Sequence, residues 1–209
     1  MITIAERSKL SRRYAGPAFG GNIRQLKDQI TQEDVIMIPS GGFYVTTDDN
    51  EVLTTVLGSC VAACMRDPYA NVGGMNHFLR PNGQKSPASS SRVTKFGNYA
   101  METLINEILS RGGRRSRLEI KIFGGGNMFE GSMPIGEYNV GFVEGYLRKE
   151  GMAIAAKHVG GQQARCLRYW PMTGKARMLL LSRQIENELV QDEQSHSAPP
   201  PQMPVNDAC

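Results

Sequence analysis

Between residues 35 and 78 apolar and polar positions follow one another at the short period of β-structure. The segment VIMIPSGGFYVTTDDNEVLTTVLGSC carries β-branched and aromatic runs divided by Ser-Gly-Gly and Asp-Asp-Asn, and it predicts two or three strands. CVAACMRD and VGGMNHFLR stand on either side of PYAN, which predicts a hairpin. The period then lengthens. After the polar PNGQKSPASSS, which predicts a loop, Val93, Phe96, Ala100, Leu104 and Ile108 recur at helical spacing. Ser91 is the expected N-cap of that helix and Gly112-Gly113 its stop.

RLEIKIFGGG predicts a strand that runs into a glycine turn, and NVGFVEGYLRKEG a second amphipathic helix ended by Gly151. MAIAAKHVGG, ARCLRYWPMTG and KARMLLLSR read as closing strands, with Met172-Thr173-Gly174 at a hairpin turn. Many strands with two interspersed helices predict an α+β fold: a layered α/β sandwich of mixed and antiparallel strands with two main helices. Residues 1–35 are polar and broken by Gly and Pro, and read as a flexible arm. The domain then covers 36–183, and the proline-rich 184–209 is a tail with no core-forming residues.

Composition narrows the class. A chain of 209 residues with 40% hydrophobic and 21% charged positions can build one sizeable core. No apolar run approaches the ~18 residues that span a bilayer. The basic N-terminus lacks the apolar segment of a secretory signal, so the expected compartment is the cytoplasm. A net charge of +4 is mild. Its densest basic run, RGGRRSR at 111–117, has no interleaved aromatics to stack bases. Docking on an acidic protein surface suits it better than nucleic acid does. Cys60, Cys64, Cys166 and Cys209 have spacings that fit neither a disulfide framework nor a zinc site, so no metal is expected.

One constellation carries chemistry. LGSCVAACMRD presents Cys60 after a Gly58-Ser59 turn, and VGGMNHFLR supplies His77. With a tight turn centred between Pro68 and Tyr69, Asp67 pairs with Ala70, Ala63 with Gly74, and Cys60 with His77. Directly opposed residues of an antiparallel pair share a face, so a thiol and an imidazole would meet as nucleophile and base. Amides of the Gly58-Ser59 turn could stabilise an oxyanion. A strand cysteine is more often a small core residue, which is the reading for Cys64, opposite Gly73 with no base nearby. His158 and His196 have no cysteine near them in sequence.

These residues resemble those of the CheD family of chemoreceptor glutamine deamidases. The resemblance rests on TTVLGSCVAACMRDP followed by VGGMNHFLRP, with PSGGFYVTTDD upstream and KFGNYAMETLINEIL, KIFGGGNMF, IGEYNV and HVGGQQARCLRYWPMTGKARMLL downstream. It covers roughly residues 36–182. It implies a layered fold related to the catalytic domain of deamidating toxins, with Cys60 as nucleophile and His77 as base. Thr54, six positions before the cysteine, is implied to orient the histidine; Thr55 is adjacent, one place off, and the spacing favours Thr54. His158 stands where that pattern has an acidic residue. The implied reaction is side-chain amide hydrolysis through a thioester, without cofactor. The implied partners are the cytoplasmic domains of methyl-accepting chemoreceptors as substrate and, as an alternative role, a CheC-type phosphatase that the protein would regulate. Two rival readings are weaker. FGGGNMFEG lacks the Lys-Ser/Thr of a phosphate loop, and a cysteine protease or transglutaminase-like enzyme would use the same pair on a different amide.

Overall fold

Eleven strands and two principal helices are described in the computed structural model, which covers residues 14–15, 23–78, 87–127 and 134–182. Strands β1 (Tyr14–Ala15), β4 (Phe43–Thr46), β7 (Val72–Phe78), β6 (Val61–Asp67), β8 (Glu119–Gly124) and β9 (Ile154–Val159) form one sheet in that spatial order. Strands β11 (Lys175–Leu180), β10 (Arg165–Trp170), β5 (Glu51–Leu57), β3 (Asp34–Met37) and β2 (Arg24–Lys27) form the other. Each sheet is mixed, with one parallel contact: β8 with β9, and β3 with β5. Helices α1 (Pro87–Ser110) and α2 (Ile135–Lys149) cover the outer face of the first sheet, giving the expected α+β class in three layers.

Strand alternation assigns the core. Val61, Ala63 and Met65 of β6 and Phe78 of β7 pack with Met101, Leu104, Ile105 and Ile108 of α1 and Val143 and Leu147 of α2. The intervening residues Ala62, Cys64 and Met75 turn to the opposite face and meet Leu53, Leu57, Leu167 and Tyr169 of the second sheet. Hence β6 and β7 are buried on both faces.

Three sequence expectations are corrected. The hairpin opens to a four-residue turn, Pro68–Asn71, closed by Asp67↔Val72. Proline cannot take the positive φ that a two-residue hairpin turn demands of its first position. Asn71 takes that region instead, at φ 49°. Helix α1 begins at Pro87, four residues before Ser91, because proline suits a first turn that needs no N–H partner. Residues 24–27, read as arm, form edge strand β2 against β3, so the folded unit starts before residue 36. The 184–209 tail lies outside the described residues. Among those described, no helix is long and apolar enough to cross a membrane.

The hairpin tip is held by one buried carboxylate. Asp67 is fully buried. Its Oδ1 accepts from the amides of Tyr69 (2.9 Å) and Ala70 (3.1 Å), and its Oδ2 from the Arg114 amide (2.8 Å) and Arg117 Nη2 (2.6 Å). Burial alone would raise its pKa, but these donors together hold it below the usual carboxylate value. Asp67→Asn keeps the shape and loses the charge that Arg117 neutralises. It should cost about 2–4 kcal/mol, read as a lower urea midpoint with an unchanged denaturant slope.

Candidate active site

Cys60 follows β5 and immediately precedes β6, and the local structure is set by glycine. Gly124 (φ 112°) and Gly125 (φ 66°) turn the chain at the end of β8 through a region that side-chain-bearing residues avoid. The Gly125 amide then donates to Cys60 O (2.7 Å) and the Gly126 amide to Gly58 O (2.8 Å). From the first turns of α2, buried Asn139 donates through Nδ2 to Ser59 O (2.7 Å). Three consecutive carbonyls thus point back into the protein. Across a trans peptide the following N–H points the opposite way, so the Ser59 and Cys60 amides are aimed away from this anchorage.

The register places Ala62, not Cys60, directly opposite His77. The four-residue turn slips the pairing by two positions relative to the tight hairpin. A two-residue slip preserves the face, so Cys60 and His77 remain on the inter-sheet side as diagonal neighbours, a separation of roughly 7–8 Å along the backbone. Cys60 is half-buried and packs at the edge of the inter-sheet core. Ser40 Oγ lies 4.0 Å from its sulfur. Ser40 belongs to Ile38–Gly42, which crosses from one sheet to the other and holds His77 by both main-chain groups: Gly41 N donates to His77 O (2.7 Å), and His77 N to Gly42 O (2.9 Å).

The hydroxyl at the imidazole belongs to Thr55, which corrects the expectation for Thr54. Thr55 Oγ1 is 2.7 Å from His77 Nδ1. The Thr54 hydroxyl instead donates to Leu167 O at 2.9 Å. Parity explains the exchange: Leu53, Thr55 and Leu57 face the first sheet, and Thr54 faces away from it. Thr55 donates its single proton to Ile38 O at 2.8 Å, so it can only accept from the ring. His77 therefore carries its proton on Nδ1, and Nε2 is left as a bare lone pair. That nitrogen is buried and has no hydrogen-bond partner among the described residues.

Other predicted features sort accordingly. Burial raises the Cys64 thiol far above its ordinary value, and it serves as inter-sheet packing. Three of the four arginines in the basic run pair within the chain: Arg111 with Glu107 (2.9 Å), Arg115 with Glu150 (2.6 Å) and Arg117 with Asp67. The sequence pattern gives no signal for Ser40 or Asn139, and it offers Thr55 only as the neighbour of the favoured Thr54. The adjacent threonines offered the only visible signal, an ambiguity of one position.

These features define a class: a layered α+β sandwich with a cysteine and a neutral histidine on one face of a buried hairpin. Residues 79–179 match the family model described as CheD chemotactic sensory transduction. The chain is 44% identical over 178 residues to the "Probable chemoreceptor glutamine deamidase CheD" of Rhodopseudomonas palustris (strain BisA53), covering 85% of this chain and 84% of the relative. The proteins of the same name from Rhizobium etli (strain CIAT 652) and Caulobacter vibrioides (strain NA1000 / CB15N) are 45% and 48% identical. Those matches cover 81% and 70% of this chain, and 91% and 78% of the relatives. The chain belongs to the CheD family.

Burial pushes the His77 imidazole down to about 4, a shift that the Ile38 carbonyl only partly offsets. The unfolded histidine titrates near 6.5. Below that value the unfolded chain takes up a proton that the folded chain refuses, so folding stability falls with pH. The loss runs at about 1.4 kcal/mol per pH unit and ends near pH 4, where the folded form also protonates. Urea midpoints of wild type and His77→Gln should diverge across this window, and parallel curves would refute the assignment.

Proposed function

We propose that this protein hydrolyses glutamine side chains of methyl-accepting chemoreceptors to glutamate, using Cys60 as nucleophile and His77 as base. The observation that carries the reading is the bare Nε2 of a neutral His77, on the face that also bears Cys60. The names of the relatives, each a probable chemoreceptor glutamine deamidase, supply the substrate class. The receptor segment concerned is cytoplasmic, which makes the cytoplasm the site of action.

In this reading the Cys60 thiol gives its proton to Nε2 as sulfur attacks the carboxamide carbon. The oxyanion forms toward the Ser59 and Cys60 amides, whose direction follows from the anchored Gly58 and Ser59 carbonyls. Imidazolium Nε2–H protonates the departing nitrogen, ammonia leaves, and a thioester remains. Water then loses a proton to Nε2 and attacks the thioester, and its tetrahedral adduct collapses to glutamate with the thiol restored. Thr55 keeps Nδ1 protonated throughout, so that Nε2 is the nitrogen that exchanges protons.

Receptor cytoplasmic fragments incubated with wild type should gain about one dalton at specific glutamines, by the mass difference between amide and acid. Cys60→Ala should produce no gain above the uncatalysed background. Equal conversion by Cys60→Ala would sink the reading.

The two threonines separate positioning from packing. Thr55→Val should lower kcat/KM about ten- to a hundredfold, with Thr55→Ser retaining most of it. Thr54→Val should leave kcat/KM within about threefold and cost about 1 kcal/mol of stability. The reverse pattern would return the orienting role to Thr54.

A further inference from the structure

Besides its neutral histidine, the Gly58–Cys60 loop has a charged neighbour. Arg165 opens β10 and pairs with Leu57, the last residue of β5. It therefore shares the inter-sheet face with Leu57, Leu167 and Tyr169, one position away from Gly58. The side chain is 1% exposed. Its Nη1 donates to His158 Nδ1 (3.1 Å) and His158 O (3.0 Å), and its Nη2 to Gly160 O and to Gln163 O (3.2 Å). The acceptors are three main-chain carbonyls and one imidazole nitrogen, and Nε has no partner. No carboxylate among the described residues pairs with it.

A buried guanidinium without a counter-ion is expensive, and its location gives it a use. Gly126, whose amide holds the Gly58 carbonyl, separates the two groups. A Cβ placed there would lie 3.3 Å from both Arg165 Nη2 and Gly58 O, so a side chain at this position would crowd both. The other ionisable groups around the loop do not supply positive charge. His77 on β7 is neutral at rest. His158 at the end of β9 faces the guanidinium with Nδ1, at 3.1 Å. Glu137, in the first turn of α2, is exposed and held by Asn127 Nδ2 at 2.9 Å. The N-terminal turn of α2, packed behind Gly125 and Gly126 through Gly136, adds a smaller positive potential of the same sign.

We propose that Arg165 is a positioning residue of this site and its standing positive charge. It holds the β9–β10 turn, which joins the glycine turn of the cysteine loop through Gly160 N to Gly124 O (3.0 Å) and Asn127 N to Gly161 O (2.8 Å), and its field favours the ionised form of Cys60. The proposal rests on the reading of Cys60 as nucleophile. In this arrangement the charge of Arg165 is balanced when the thiolate or the oxyanion forms, and the histidine serves as proton carrier rather than as counter-ion.

Cys60 acidity can be read without turnover, from the pH dependence of its alkylation by iodoacetamide, followed by mass spectrometry of the Cys60 peptide in the full chain. Wild type should show a midpoint at least about one unit below the ordinary thiol value near 8.5. His77→Gln should keep that midpoint within about 0.3 unit, because the charge is not the histidine's. Arg165→Met should raise it by about one unit or more, and Arg165→Lys should recover most of the shift. An ordinary midpoint in wild type, a return to it in His77→Gln, or no change in a folded Arg165→Met would each overturn the proposal. Should Arg165→Met fail to fold, as judged by its thermal melt, the wild-type and His77→Gln arms still decide. Receptor deamidation assayed in parallel keeps the two claims apart. Its absence in wild type defeats the proposed function, while an ordinary midpoint with deamidation intact defeats Arg165 alone.

Discussion

A residue on β6 or β7 has two faces to choose from, and both are buried. Any polar side chain on this hairpin must therefore find its partner inside the protein. Two adjacent residues of β7 show the consequence. Asn76 faces the helices: its Oδ1 accepts from the Ala63 amide (2.9 Å) and its Nδ2 donates to Ala100 O (3.0 Å), fastening α1 to the sheet. His77 faces the other way and engages Thr55 and Ile38, fastening one sheet to the other. The candidate site is thus a by-product of closing the sandwich. The histidine that would do chemistry is also a tie between layers.

That double role shapes the chemistry available. A histidine deep enough to join two sheets cannot easily carry charge, since burial opposes its protonation. A fixed hydroxyl that has already committed its proton selects the Nδ1–H tautomer. The ring is then best suited to take a proton at Nε2 and pass it on within one cycle. It is poorly suited to stand as a permanent imidazolium beside a thiolate. Favourable potential for an anion at Cys60 has to come from a group that stays charged when buried. A guanidinium meets that requirement and an imidazole does not.

The sequence pattern made the hairpin, both helices and the shared face of Cys60 and His77 legible, and the reason is periodicity. Face depends only on parity, so a two-residue error in the turn changed the distance between the pair and left its side intact. The same parity hid which threonine meets the imidazole. Thr54 and Thr55 are identical in type, and only the position of the first sheet relative to β5 distinguishes them. Strand β2 escaped notice because Arg24–Lys27 is exposed along its whole length, and an edge strand held by main-chain pairing leaves no apolar alternation to read. Arg165 was hidden differently. In ARCLRYW it occupies a core-facing position that pattern alone would have given to an apolar residue.

The arginines of 111–117 make the converse case. They are the most conspicuous charge in the sequence, yet Arg117 and the Arg114 amide close on the buried Asp67 carboxylate at the hairpin tip. Arg115 bridges to Glu150 at the end of α2, and Arg111 to Glu107 one turn back along α1. Three of the four arginines are thus paired where they stand, and Arg117 with the Arg114 amide holds the far end of the hairpin whose near end carries Cys60 and His77. A clustered charge in a sequence therefore says little about partners until its counter-ions are located. A single arginine among apolar neighbours, with no carboxylate paired to it, leaves a field that acts on whatever lies beside it. Here that is the cysteine loop.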